Sequence, residues 1–150
     1  MRALHVLGRT IFGGFFVYSG IHHFQDLKTL SGYAAMKGVV APTAAVQASG
    51  ALFLAGGLSV LAGVKPRQGL AALIACLVPI TMQMHRFWDV EDPQQRVMEM
   101  TNFTKNMALV GAALALLQIR EPWPASVDSV RRDEEMYVRL GGRDLRTLPA

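Results

Sequence analysis

Charge is distributed along this chain in blocks, and that segregation restricts the fold more than any single residue does. Nothing from Gly38 to Val64, from Gly69 to His85 or from Met107 to Ile119 carries a formal charge. A helix needs about 20 apolar residues to cross a hydrocarbon core, so the first run suffices alone and the other two reach that length with flanking residues. Leu4 to Phe24 forms a fourth such segment, interrupted by Arg9. With 51% hydrophobic residues, 17% charged and a mean hydropathy of +0.27, the chain is too apolar for an ordinary soluble domain of 150 residues.

The expected fold is therefore all-α, a bundle of four transmembrane helices over residues 4–24, 43–64, 69–85 and 101–119. Within this 1–120 domain a polar outer cap joins helices 3 and 4, and a short charged cytoplasmic tail follows over 121–150. Arg9 breaks the first apolar run and no A-x-A-like site follows it, so the run reads as an uncleaved span rather than a signal peptide. Arg9 is expected near the inner end, snorkelling to headgroups or meeting an acid of the tail. The single cysteine, Cys76, lies mid-span and excludes an intrachain disulfide or a CxxC pair.

Basic residues set the orientation. With both termini inside, ten of the 15 Lys and Arg lie on the inner side and five (Lys28, Lys37, Arg86, Arg96, Lys105) on the outer, which favours N-in, C-in. The same placement assigns the net charge of +4 to lipid contact, and no nucleic-acid motif is present. The expected partners are the bilayer and other membrane subunits or a second copy of the chain.

Small residues mark the contact faces. Ala51, Ala55, Ser59 and Gly63 recur every fourth residue in the second span, and Gly111 lies among Ala108, Ala112 and Ala115 in the fourth. Such ridges let membrane helices approach closely. Pro79 predicts a kink in the third span. Asp92-Pro93-Gln94-Gln95 predicts a helix start, with an acidic N-cap and proline at N1. The connection Leu27 to Pro42 is expected to be an outer loop with room for a short interfacial helix.

The dense polar chemistry outside the tail falls in Met84 to Asn106. The topology brings Tyr18, His22, Asp26, His85, Trp88, Asn102, Lys105 and Asn106 to the outer ends of spans one, three and four. Tyr18, His22 and Asp26 follow at i, i+4 and i+8, as one helical stripe, and one of His22 and His23 is expected to face the interior. Three readings of this cluster stand side by side. In the first, Trp88 is a belt aromatic, Lys105 and Arg86 snorkel, and the other polar groups satisfy loop backbone. In the second, histidine and asparagine bond the carbonyls of a quinone-like headgroup while an Asp or Lys relays protons. In the third, His22 and His85 ligate a haem or another metal. Methionines two apart in Met82-Gln83-Met84 point to different helix faces, which argues against a soft-metal site.

Several segments resemble the DoxX family. They are Ser19-Gly20-Ile21-His22-His23-Phe24 after Arg9, Leu54-Ala55-Gly56-Gly57-Leu58 in the second span, Gly63-Val64-Lys65-Pro66-Arg67 at its end, His85-Arg86-Phe87-Trp88, and Asn102-Phe103-Thr104-Lys105-Asn106. The likeness runs over about residues 5–119. The resemblance implies a four-helix protein of the bacterial cytoplasmic membrane; the family is named for a subunit of a quinol oxidase or thiosulfate:quinone oxidoreductase. Many relatives carry a glutamate before the paired glycines, where Ala51-Leu52-Phe53 stands here. No Rossmann fingerprint, CxxC, haem-attachment motif or flavin loop is visible, so no cofactor is evident in the chain and any electron centre belongs to a partner. Two functions remain in view: an accessory subunit of a quinone-linked redox complex, and a structural or assembly subunit of a larger membrane complex.

Overall fold

The computed structural model describes residues 2–139, so Arg143 and Arg146 of the expected tail lie outside the described residues. Its elements are α1 (Arg2–Gln25), α2 (Leu27–Met36), α3 (Pro42–Ala62), α4 (Pro66–Met84), a 3-10 turn (Phe87–Asp89), α5 (Pro93–Leu117) and α6 (Val127–Arg139). No strand occurs among the described residues. Two helical segments, Pro42–Ala62 and Pro66–Asp89, are long and apolar enough to cross a membrane. By length alone α1 and α5, at 24 and 25 residues, also suffice, since about 1.5 Å per residue carries either beyond ~30 Å.

Three helices begin on proline at N1, where a missing amide costs nothing: Pro42, Pro66 and Pro93. Asp92 caps α5 as the sequence predicted, its Oδ1 accepting from the Gln95 amide at 2.7 Å. The long helices pack in chain order, α1 on α3, α3 on α4 and α4 on α5. Their shared core holds Phe12, Phe16, Phe53, Val60, Leu70, Leu73, Cys76, Leu77, Ala113 and Trp123.

Glycine makes the tightest of these contacts possible. A Cβ on Gly20 would stand 2.6 Å from the Leu54 amide and 2.8 Å from the Gly50 carbonyl, and one on Gly57 would stand 2.8 Å from the Val17 amide. The α1 and α3 backbones are thus in direct contact. This face differs from the expected ridge: Ala51 and Ala55 are exposed, while Val46, Gly50, Phe53, Gly57 and Val60 are buried. The physical reason is that glycine permits a closer approach than alanine, so the ridge one residue away wins. Ser59 and Gly63 do make contacts, Ser59 against Gly69 of α4 and Gly63 against Ser126. Gly63 also ends α3 with φ 67°, a left-handed conformation suited to glycine. Gly111 has open space around it, and so faces none of the described helices.

The segment after α5 returns to the bundle. Trp123 is fully buried, edge-on to His5 with ring centroids 5.1 Å apart. Arg9 is buried and donates to the carbonyl of Ala125, so the tail supplies backbone where an acid or lipid headgroup was expected. The tail's acids cap α4 instead: Glu121 accepts from the Arg67 amide at 3.0 Å and Asp128 from the Lys65 amide at 2.8 Å. Negative charge is favoured at that helix end. Residues 121–126 therefore belong to the bundle rather than to a separate tail.

Candidate functional site

At the opposite end α2 fills the connection between α1 and α3. Tyr33 and Lys37 are one helical turn apart and share a face, and both reach a single carboxylate, Glu99 of α5. Tyr33 Oη donates to Glu99 Oε1 at 3.1 Å and Lys37 Nζ donates to the same oxygen at 2.5 Å. His85, the C-cap of α4, completes the set, its Nδ1 standing 2.7 Å from Glu99 Oε2. A carboxylate only accepts, so Nδ1 carries the hydrogen.

Glu99 is 3% exposed, and an ionised carboxylate at that depth survives only when paired and hydrogen-bonded. Burial pushes its pKa up, but the hydrogen bonds from Lys37 and His85 and the Lys37 charge outweigh it, leaving the carboxyl below its ordinary value. Burial likewise works against the Lys37 ammonium, and the bond to Glu99 more than offsets it, so that pKa is raised. Tyr33 is raised by burial and by the neighbouring carboxylate. At neutral pH the cluster is a carboxylate–ammonium pair with a neutral phenol.

Of the cluster, Tyr33 also lines a cavity of about 280 Å³ between α1, α2, α3 and α4. Leu30, Val39, Val46, Pro79, Ile80 and Met84 supply apolar wall, and His23, Tyr33, Ser49 and Gln83 are its polar residues. Gln83 ties α4 to α2, its Nε2 donating to the Lys37 carbonyl at 2.7 Å. Pro79 is exposed, so the cavity reaches the surface along the flank of α4 where the sequence predicted a kink.

The residues singled out from sequence are dispersed around this site. His85 is in the Glu99 cluster. Asn106 lies two turns from Glu99 on the same side of α5 and donates to Thr81 Oγ1 at 3.1 Å, joining α5 to α4. Asn102 and Lys105 bond to each other at 3.1 Å on the exposed side. Trp88 is half-exposed in an aromatic group with Phe87 and Phe103. Tyr18 and His22 lie outward and face each other with rings 6.2 Å apart, while Asp26 sits at the joint between α1 and α2. Of the two histidines, His23 is the inward one, edge-on to Phe53 and in the cavity wall. As a pair of metal ligands His22 and His85 are differently engaged, one exposed and the other held by Glu99. No three His, Cys, Asp or Glu side chains among the described residues are grouped to hold a metal ion.

Sequence reasoning passed over Glu99, Lys37, Tyr33 and Gln83. One signal was present: Glu99 is the only acid in α5, and a lone acid in a helix running into the membrane needs a partner.

Among the described residues the protein is thus all-helical, with two helices long and apolar enough to cross a membrane and a polar cluster at one end. The family model named DoxX matches residues 4–86, more than half the chain. The chain belongs to the DoxX family. The match covers α1 to α4 and ends before Glu99 and the Asn102–Asn106 segment. No curated protein and no solved structure matches the chain.

Proposed function

We propose that this protein is a four-span subunit of the bacterial cytoplasmic membrane, with both termini inside, whose outer cavity holds the headgroup of a quinone-like carrier for a redox partner. The observation that carries the reading is the cavity itself, apolar in most of its wall and bounded by a phenol hydrogen-bonded to an ionised carboxylate. Ligand pockets run from ~300 Å³ upward, so a cavity of this size suits a single substituted ring rather than a larger cofactor. Alternation of the helices supports the topology: Arg9, Lys65 and Arg67 gather at one end and the Glu99 cluster at the other. The electron centre is assigned to the partner, because the sequence holds no motif for one.

The second reading, a structural or assembly subunit, draws on the outward small residues. Ala51 and Ala55 on α3 and Gly111 on α5 are exposed in the single chain, and such surfaces accept another membrane helix. Native mass spectrometry of protein extracted from its own membrane in mild detergent separates the two. A retained quinone mass that is lost in Tyr33→Phe/Gln83→Leu supports the redox reading. Retained protein subunits without a small molecule, unchanged in that variant, refute it in favour of assembly.

A further inference from the structure

We propose that the end of the bundle opposite Glu99 binds an anion from outside the chain, as the counter-charge of Arg9. The Arg9 side chain is only 5% exposed. Of its guanidinium nitrogens Nη2 donates to the Ala125 carbonyl, while Nε and Nη1 are buried with no hydrogen-bond partner among the described residues. Arginine keeps its charge in a folded protein. No carboxylate among the described residues pairs with it. Two acids of the returning segment are engaged elsewhere: Glu121 accepts from the Arg67 amide and Asp128 from the Lys65 amide, both at the start of α4. A buried charge persists only when it is paired and hydrogen-bonded, and a carbonyl supplies a bond without a charge. The missing partner is therefore an acceptor that carries negative charge.

A second nitrogen marks the same place. His5 lies one turn before Arg9 on the same face of α1, and its Nε2 is buried with no partner among the described residues. That nitrogen donates in one neutral tautomer and in the imidazolium. Trp123 stands edge-on to the His5 ring and Ala125 takes the Arg9 bond, so one stretch of chain closes over both side chains. From the end of α3, a Cβ on residue 63 would stand 2.8 Å from Arg9 Nη1, so the guanidinium fits because Gly63 has no side chain. Trp123 and Ala125 also line a cavity of about 440 Å³, together with Arg2, Arg132 and Asp133. Asp133 stands 3.7 Å from Arg132, which leaves the Arg2 charge in excess. The cavity is thus an approach with positive potential for a small anion or a lipid phosphate. An anion at Arg9 offers acceptors to the unpartnered nitrogens and holds residues 121–126 over α1.

The test uses the full-length protein, stripped of lipid in an uncharged maltoside detergent and kept in sodium gluconate, whose anion is too large for so buried a site. In one series chloride replaces gluconate at constant ionic strength; in the other, short-chain phosphatidylglycerol is added to gluconate. The melting temperature, read by far-UV circular dichroism, is expected to rise and saturate in one series, by about 5–10 °C at roughly a hundred times Kd. A chloride response makes the source a free ion, and a response to phosphatidylglycerol alone makes it a lipid headgroup. Arg9→Met keeps the apolar stem, removes the charge and is expected to abolish the response. His5→Phe keeps a ring against Trp123 and is expected to weaken the anion's affinity several-fold, which gives a second reading if Arg9→Met does not fold. No saturable response to either anion overturns the proposal, as does a response that Arg9→Met retains or, failing that variant, one that His5→Phe leaves unchanged.

Discussion

Removing the Glu99 carboxylate probes its end of the bundle most directly. Glu99 receives hydrogen bonds from Tyr33, Lys37 and His85, which belong to α2, the residue after it, and the end of α4. In Glu99→Ala the Lys37 ammonium and His85 lose their acceptor while remaining only 20% and 17% exposed. Breaking a fully buried ion pair costs roughly 3–5 kcal/mol. The partial exposure of both partners lets water replace part of the bonding, which brings the expected loss to about 2–3 kcal/mol. At roughly 2–4 °C per kcal/mol for a chain of this size, the melting temperature should fall by ~5–10 °C. Far-UV circular dichroism of detergent-purified protein reads this directly. Glu99→Gln keeps the volume and one acceptor, and should lose about half as much. A Glu99→Ala protein melting within about 1 °C of the parent would refute the network as a source of stability.

Three further outcomes follow from the structure. Acid should weaken the Glu99 end: the carboxyl of Glu99 has its folded pKa below the ordinary 4.5, so its stabilisation is complete above about 4.5 and is lost as pH falls through the lower folded value. Lys37, with its pKa raised above 10.5, contributes fully below that value and fails as pH rises through the higher folded one. Melting temperature against pH should therefore fall at the acid edge in the parent and lose that drop in Glu99→Gln. Gly57→Ala places a Cβ within 3 Å of the Val17 amide and the Gly13 carbonyl, and should cost about 1–3 kcal/mol by the same melting assay. Gly14→Ala, where nothing lies within 4 Å of the added atom, should cost far less.

The apolar runs and the helix starts at Pro42, Pro66 and Asp92-Pro93 are legible in sequence because they depend on local composition and on one or two residues. Which of two adjacent small-residue ridges packs is not local. Ala51-Ala55 and Gly50-Gly57 both suit a close contact, and the choice depends on Gly13 and Gly20 of another helix. The same limit hid the site. Tyr33 and Lys37 belong to a connection whose folding into α2 decides where they point, and their partner Glu99 is more than sixty residues away. Helical spacing puts Asn102, Lys105 and Asn106 at i, i+3 and i+4 on one face of α5, but it could not say that Asn102 and Lys105 bond to each other while Asn106 turns to Thr81 of α4.

The two ends of the bundle are closed by different means, and this separates effects on stability from effects on binding. At one end Trp123, Ala125 and Ser126 fill the space between α1 and the α3–α4 turn, so Trp123→Ala leaves a cavity in the core. It should cost about 3–5 kcal/mol. At the other end α2 stands against α3 and leaves the cavity open beside it, and Tyr33 in its wall is bonded to Glu99. A phenol fixed before the ligand arrives loses little freedom on binding. Lys37→Met removes the cation from Glu99 and loosens Tyr33, so affinity for the proposed carrier should fall several-fold at temperatures where the variant is still folded. Trp123→Ala, although more damaging to melting temperature, should leave the affinity of the folded protein within about twofold of the parent. If affinity instead follows melting temperature in both variants, the cavity is not set by the Glu99 network, and the separation of the two ends fails.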